Sequence, residues 1–298
     1  MDQTRRNFLK RSVAVGGALA AGTYLFGCSG PAKVRVSGHL WIYASKFPPN
    51  WDSTPVLDQV FSDFKFAGIE GVELMEVNLR HKEAVTNLNG LVEKYNIPVT
   101  GSSYGGDMWN KDEHPKILDD VALVVNRLHE VDGKNFGITV GNARRMKTEE
   151  ELDAQAELLI KILKICEEKD VLANLHNHTF EVENDLHDLK GTLARVPDIK
   201  LGPDLNWLVR GGVDPVSFIK TYGRRIVYMH IRDQTADGTW TEAVGEGVTN
   251  FAAIANALKE IDYTGEAAIE LASHVPPRNP MKENWKKSRD HVRRVFGW

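Results

Sequence analysis

Residues 173–181 read Ala-Asn-Leu-His-Asn-His-Thr-Phe-Glu. Two histidines, His176 and His178, close an apolar run, and Glu181 follows three residues later. A strand periodicity of two puts His176 and His178 on one face and Leu175 and Asn177 on the other. Three later apolar runs end on similar chemistry: Asp204 in LGPDLNW, His230 in VYMHIRD and Glu270 in AAIEL. Each residue alone has a plain structural use, as a helix cap or a hydrogen-bonded imidazole. Asp214 and Asp233 fit the capping role well. Jointly, a carboxylate, an imidazole and a carboxylate ending three consecutive strands converge on one mouth. Buried like charges there need neutralising, and a divalent cation does so. Mixed nitrogen and oxygen donors suit Mn²⁺, Zn²⁺, Co²⁺ or Fe²⁺ better than Ca²⁺.

The elements that must position these residues alternate along the chain. Strands are expected at Val36–Tyr43, Gly71–Val77, Pro98–Tyr104, Phe136–Val140, Val171–His178, Lys200–Trp207, Ile226–Arg232 and Glu266–Leu271. Helical apolar spacing fills the intervals, as in TPVLDQVFSDFKFAG and EEELDAQAELLIKILKICEEKD. Eight such units predict an α/β protein built as a (β/α)₈ TIM barrel, with one domain over residues 35–298. An open doubly wound sheet is the runner-up. It requires a glycine-rich phosphate loop after the first strand, where YASKFPPNW stands instead. A barrel places its reactive residues at the C-terminal strand ends. On the second strand Glu73 and Glu76 alternate, so one of them is expected to point inward. On the seventh, Tyr228, His230 and Arg232 share a face. Trp41, Glu76, Tyr104, Trp207 and Trp240 are candidate substrate contacts at the mouth, the aromatics by the stacking faces they offer. Their alternative use is ordinary packing. Asp237-Gly238 is expected to form a tight hairpin turn.

The first residues follow a different logic. Thr4-Arg5-Arg6-Asn7-Phe8-Leu9-Lys10 reads as a twin-arginine export signal, followed by a short Gly/Ala-rich apolar stretch. Residues 1–27 are expected to be a signal peptide. Leu25-Phe26-Gly27-Cys28 resembles a lipoprotein box, with a lipid anchor at Cys28 and a tether over 28–34. The chain would then be exported, periplasm-facing and attached to the membrane only through that lipid. Cys166, the other cysteine of two, reads as a buried small hydrophobe. The full chain carries a net charge of −4. Removing Asp2, Arg5, Arg6, Lys10 and Arg11 makes the mature chain about three charges more negative, which argues against a nucleic-acid footprint.

From the sixth strand to the eighth, the chain resembles the sugar isomerase/epimerase family with the xylose isomerase-like barrel. The residues that carry the resemblance are Asp204, His230 in His230-Ile231-Arg232-Asp233, Glu270 and the glycine-rich stretch VGEGVTNF at 244–251. It implies Asp204, His230 and Glu270 as metal ligands and His176 as a fourth ligand or a base. It also implies oligomeric association. Two departures matter. His176 stands where two-base epimerases carry a glutamate, and Trp207 stands where many relatives have a histidine. The symmetric two-glutamate mechanism is therefore not carried over.

The expected chemistry is proton abstraction α to a carbonyl, through an enediolate stabilised by Mn, Zn, Co, Fe or Mg. His178 or His176 suits the base role. Glu270 would share proton transfer, as its family counterpart does. Arg232 would hold hydroxyls or the developing oxyanion, or else pair with Glu76 or Asp233. Glu181 would orient a neighbouring histidine. Export favours a non-phosphorylated keto-sugar, as substrate for isomerisation, epimerisation or β-elimination of a 3-keto-glycoside. Two rivals are a DNA-repair endonuclease, disfavoured by the acidic chain, and a non-catalytic sugar-binding lipoprotein.

Overall fold

A computed structural model describes residues 34–273 and 275–298. The signal peptide, Cys28 and the tether up to residue 33 lie outside the described residues. Eight strands, all parallel, form the centre: β1 (Val36–His39), β2 (Gly71–Met75), β3 (Val99–Gly105), β4 (Asn135–Thr139), β5 (Leu172–Leu175), β6 (Lys200–Leu201), β7 (His230–Ile231) and β8 (Ala267–Glu270). Their order is β6-β5-β4-β3-β2-β1-β8-β7. The ring closes through parallel bridges from Leu201 to Ile226 and from Asp204 to His230. This is the (β/α)₈ barrel that the strand-helix alternation predicts.

Eight helices cover the ring: α1 (Leu57–Ala67), α2 (Ala84–Tyr95), α3 (His114–Glu130), α4 (Glu149–Glu168), α5 (Thr179–Arg195), α6 (Pro215–Tyr222), α7 (Phe251–Glu260) and α8 (Met281–Phe296). In α1 the buried residues Leu57, Val60, Phe61 and Phe64 recur at helical spacing. The helix stops at Gly68, whose φ of +73° a side chain would resist. The acidic start of α4 is a capping box. The Thr148 hydroxyl accepts from Glu151 N at 3.3 Å, and the Glu151 carboxylate accepts from Thr148 N at 2.8 Å. The last helix seals the ring against the first. Trp285 of α8 meets Phe64 edge-on at 4.7 Å between centroids, and its indole N–H donates to the Tyr43 hydroxyl at 2.9 Å. No helix among the described residues is long and apolar enough to cross a membrane.

Several strands end earlier than the apolar runs suggest. After His39 the chain turns into a short helix, Trp41–Ala44, which puts Tyr43 into the core on Asp63 at 2.7 Å. After β6 it turns at Asp204 into the helix Leu205–Arg210. The apolar residues beyond each turn are buried in helices, and period alone does not separate a buried strand from the buried face of a short helix. In α5, Asn184, Asp185 and Leu186 have φ of +51°, +57° and +61°, so the first turn is set apart from the rest of the helix. Cys166 is buried, and burial pushes its thiol up to about 12.

Candidate metal centre and active-site cleft

Backbone register assembles the site. Asp204 bridges to His230, so two candidate ligands from β6 and β7 lie side by side. His39 at the end of β1 faces Glu73 on β2 and Glu270 on β8. His230 pairs with Ala268, which brings Arg232 level with Glu270 two residues on. Asn177 points away from the two histidines and clamps Asp204: its carbonyl accepts from Asp204 N at 3.2 Å, and its amide reaches Asp204 O at 3.5 Å.

His176, Asp204 and His230 each present a donor atom, all within 4.8 Å of one another and all buried. The two oxygens of Asp204 have different occupations. Oδ1 caps the following helix, accepting from Asn206 N and Trp207 N at 2.9 Å each. Oδ2 lies 3.0 Å from Arg232 Nε, yet out of line, and neither atom makes a hydrogen bond. His230 is divided in the same way. Its Nε2 lies 2.8 Å from Glu73 Oε2, which also accepts from the Tyr228 hydroxyl at 3.0 Å. Its Nδ1 stands 2.7 Å from Glu270 Oε2 without forming a hydrogen bond. An ionised carboxylate only accepts, so Glu73 holds a proton on Nε2, and Nδ1 is the ring nitrogen that makes no hydrogen bond. Glu270 does not join the compact trio. Its Oε1 contacts Arg232 Nη2 and stands 3.5 Å from His39 Nδ1.

Burial governs the electrostatics. It drives His39 down to about 3 and His176 well below its ordinary value, with the His230 neighbourhood adding to the second shift. His39 is also fixed by Trp41 N at 3.2 Å and Ser103 Oγ at 3.0 Å. Burial would raise Glu73, but His230, His39 and the Tyr228 hydroxyl outweigh it and hold the carboxyl below the usual range. Burial lowers Arg232 to about 10, partly offset by Asp204, so it stays charged near neutrality. Three buried carboxylates, Glu73, Asp204 and Glu270, therefore face one buried guanidinium. Those three carboxylates and the guanidinium carry a formal charge of −2 before the imidazoles are counted. A divalent cation fits this donor set in charge, in its mixed nitrogen and oxygen donors, and in the free Asp204 Oδ2 and His230 Nδ1.

Above the trio lies a cleft of about 450 Å³. Trp41, Glu76, Tyr104, Trp207 and Trp240 all line it, along with His178 and Arg232. Their duties differ. Tyr104 donates its hydroxyl to Asp120 at 2.9 Å, away from the metal trio. Trp240 carries the Arg210 guanidinium on its ring, 3.5 Å from the centroid, while lining the cleft. Trp207 meets Trp240 edge-on at 5.2 Å and keeps a face toward the His178 ring at 5.4 Å. Trp41 packs on Trp51 at 5.6 Å. Glu73 is the inward residue of β2. Glu76 begins the short helix Glu76–Arg80 and reaches the cleft half-buried, 3.6 Å from Arg80. His178 stacks on Phe180 and keeps 37% of its side chain exposed. Burial and Arg232 hold its imidazole well below the ordinary value.

Three sequence expectations need correction. Arg232 pairs with Asp204 and Glu270, not with Glu76 or Asp233. Asp233 accepts from Gln234 N, Gly245 N, Gly247 N and Thr249 N, so it shapes the glycine-rich loop. Glu181 receives the backbone N–H of His178 at 2.7 Å, capping α5 instead of orienting an imidazole by a hydrogen bond. The expected Asp237-Gly238 turn is present, with Gly238 at φ +82° between the bridged residues Gln234 and Trp240. Sequence reasoning missed His39, the orienting role of Glu73, and Arg210. A histidine ending β1, the strand next to β8, was the available signal for the first.

Residues 61–295 match the family model of the xylose isomerase-like TIM barrel. An inosose dehydratase of Clostridium beijerinckii is 20% identical over 283 residues, covering 84% of this chain and 93% of that protein. The D-allulose 3-epimerase of Methylomonas sp. superposes with a TM-score of 0.74 at 18% identity, over 89% of this chain and 99% of that one. A 3-keto-D-glucoside 4-epimerase of E. coli superposes with a TM-score of 0.64 at 15% identity, over 89% and 100%.

Proposed function

The chain belongs to the xylose isomerase-like TIM barrel family, and from that premise we propose a divalent-metal-dependent enzyme that removes a proton α to the carbonyl of a non-phosphorylated keto-sugar. One observation carries the reading. The donor atoms of His176, Asp204 and His230 are gathered within 4.8 Å at the foot of an aromatic cleft, and two ligand atoms are left without hydrogen bonds. His176, Asp204 and His230 would hold the cation, with Glu270 beside His230. A cation bound there supplies Lewis acidity toward a carbonyl oxygen. The protein does the rest. His178, partly open to the cleft, is placed to take the α-proton. Glu270 shares proton transfer, while Arg232 answers the negative charge that develops on the sugar. Trp207 and the Trp41 wall exclude water from the reacting carbons.

Return of the proton gives isomerisation or epimerisation. A second outcome, β-elimination from a 3-keto-glycoside, starts from the same proton abstraction. It is favoured by His176 in place of a second carboxylate base, and by relatives whose name, inosose dehydratase, describes loss of water. A neutral sugar-binding lipoprotein is the rival of another class. The test is solvent deuterium uptake by a panel of keto-sugars and 3-keto-glycosides, with Mn²⁺-loaded protein. Exchange at the α-carbon is expected. Neither exchange nor turnover across the panel would favour the binding module. Export and lipidation at Cys28 remain part of the proposal, and mass spectrometry of the mature N-terminus in the membrane fraction tests them.

A further inference from the structure

Two of the cleft's charged residues, Glu76 and Glu270, sit beside an opposite charge, although the Arg80 beside Glu76 is itself held by Asp120 at 2.7 and 2.9 Å. Glu270 meets Arg232, and Glu76 stands beside Arg80. Arg210 also lines the cleft and forms no ion pair among the described residues, although the charge of Asp204 reaches it. Its Nε donates to the neutral Gln234 Oε1 at 2.9 Å and its Nη2 to the carbonyl of Gly238. Its guanidinium lies 3.5 Å over Trp240 and 5.0 Å from the Trp207 centroid. Arg232 stands over the same two rings, at 4.9 and 5.5 Å. Two guanidiniums thus share one indole wall. One is answered by Asp204 and Glu270. The other is held rigidly by two hydrogen bonds and a stacked ring, with its remaining donors uncommitted.

A guanidinium with uncommitted donors beside an apolar wall is placed to receive an anion. Once a divalent cation balances the inner cluster, the positive charge left at the Trp207–Trp240 side of the cleft is that of Arg210. A guanidinium fork matches planar or tetrahedral oxyanions better than it matches a single hydroxyl.

We infer that the substrate is a sugar carrying one anionic group, a carboxylate or a phosphate, which Arg210 receives at the Trp207–Trp240 wall while the carbonyl end faces His176, Asp204 and His230. This rests on the proposed function and narrows its substrate class; of the two anions, the carboxylate agrees with a non-phosphorylated sugar. Calorimetric titration of Mn²⁺-loaded protein with D-glucuronate, D-glucose 6-phosphate and D-glucose tests it. At least one charged sugar should bind about tenfold more tightly than glucose, and the margin should shrink as salt is raised. Arg210→Met keeps the apolar stack on Trp240 and should bring the three sugars to parity, while Arg210→Lys keeps part of the preference. Melting temperature and metal content serve as folding controls for both variants. Preference for the phosphate alone supports Arg210 as an anion receptor and overturns the non-phosphorylated substrate. Equal binding of all three sugars, binding of none, or a preference that survives Arg210→Met overturns the inference. Deuterium exchange on neutral keto-sugars without any preference for charge would overturn it too, yet leave the proposed function standing, whereas absence of metal uptake would overturn the proposed function itself.

Discussion

Two buried polar clusters in this barrel use the same side-chain types and reach opposite states. Between α4 and α5, the Lys147 ammonium meets Asp188 Oδ2 at 2.6 Å and Gln155 Oε1 at 2.7 Å. The Gln155 amide closes the circuit on Asp188 Oδ1 at 2.8 Å and Thr192 Oγ1 at 2.7 Å. One cation faces one carboxylate, and every side-chain polar atom of the four residues has a partner. At the barrel mouth, Asp204, His230, Arg232 and Glu270 are as closely packed, yet Asp204 Oδ2, His230 Nδ1 and Arg232 Nε lack hydrogen bonds. A closed network rigidifies a fold. An open one, with surplus negative charge and free lone pairs, is arranged for a ligand. Burial and short distances do not separate the two; the balance of charge and the direction of the lone pairs do.

The largest effect should come from Asp204→Asn. Asparagine keeps the capping oxygen and is a good N-cap, so the helix should survive. It replaces the free Oδ2 by an amide donor that cannot ligate. Metal affinity should fall by more than about 100-fold, with the melting temperature nearly unchanged. Lys147→Met should do the reverse. Leaving Asp188 buried and unpaired should cost about 3–5 kcal/mol in chemical denaturation, with metal affinity per folded molecule unaltered. If either variant moved both quantities together, the division between the clusters would be lost.

Glu73→Leu removes the acceptor that fixes the His230 tautomer. It should weaken metal binding about 10–100-fold, and the ¹⁵N spectrum of His230 in the metal-free protein should shift from one tautomer to a mixture. Glu73→Gln, which keeps an acceptor oxygen, should recover most of both. An unchanged spectrum in Glu73→Leu would remove the orienting role.

The smallest effect is expected where the clusters adjoin. Burial, reinforced by Asp188, raises Glu181 to about 8. Its folded value lies above its unfolded one, so its contribution is full below the ordinary carboxylate range and is lost as pH rises through about 8. Relative to Glu181→Gln, the wild-type protein should lose stability between pH 5 and pH 8.5. Parallel stability curves for the two proteins would contradict this.

The barrel was legible because eight apolar runs alternate with helical spacing, and that pattern has few other packings. The ligand candidates were legible because period two and strand-end position place His176, Asp204 and His230 without any knowledge of pairing. What was hidden depends on pairing. Arg232 reaches Asp204 and Glu270 only through the register of β7 against β8 and the β6–β7 bridge. His39 and Glu73 become neighbours of His230 because β1 and β2 follow β8 around a closed ring. Arg210 was hidden because β6 stops after Leu201 and turns helical at Asp204, which lifts Trp207 and Arg210 over the mouth. The aromatic candidates all line the cleft, and what pairing adds is that Tyr104 also bonds Asp120 and Trp240 also carries Arg210.

The central claim is that the mouth cluster is a metal centre. The direct measurement is the metal content of purified protein, wild type and Asp204→Asn, by mass spectrometry after dialysis. About one divalent cation per wild-type chain and a near-complete loss in Asp204→Asn is the predicted result. No metal in either protein, after exposure to Mn²⁺, Zn²⁺, Co²⁺ and Fe²⁺, would contradict it.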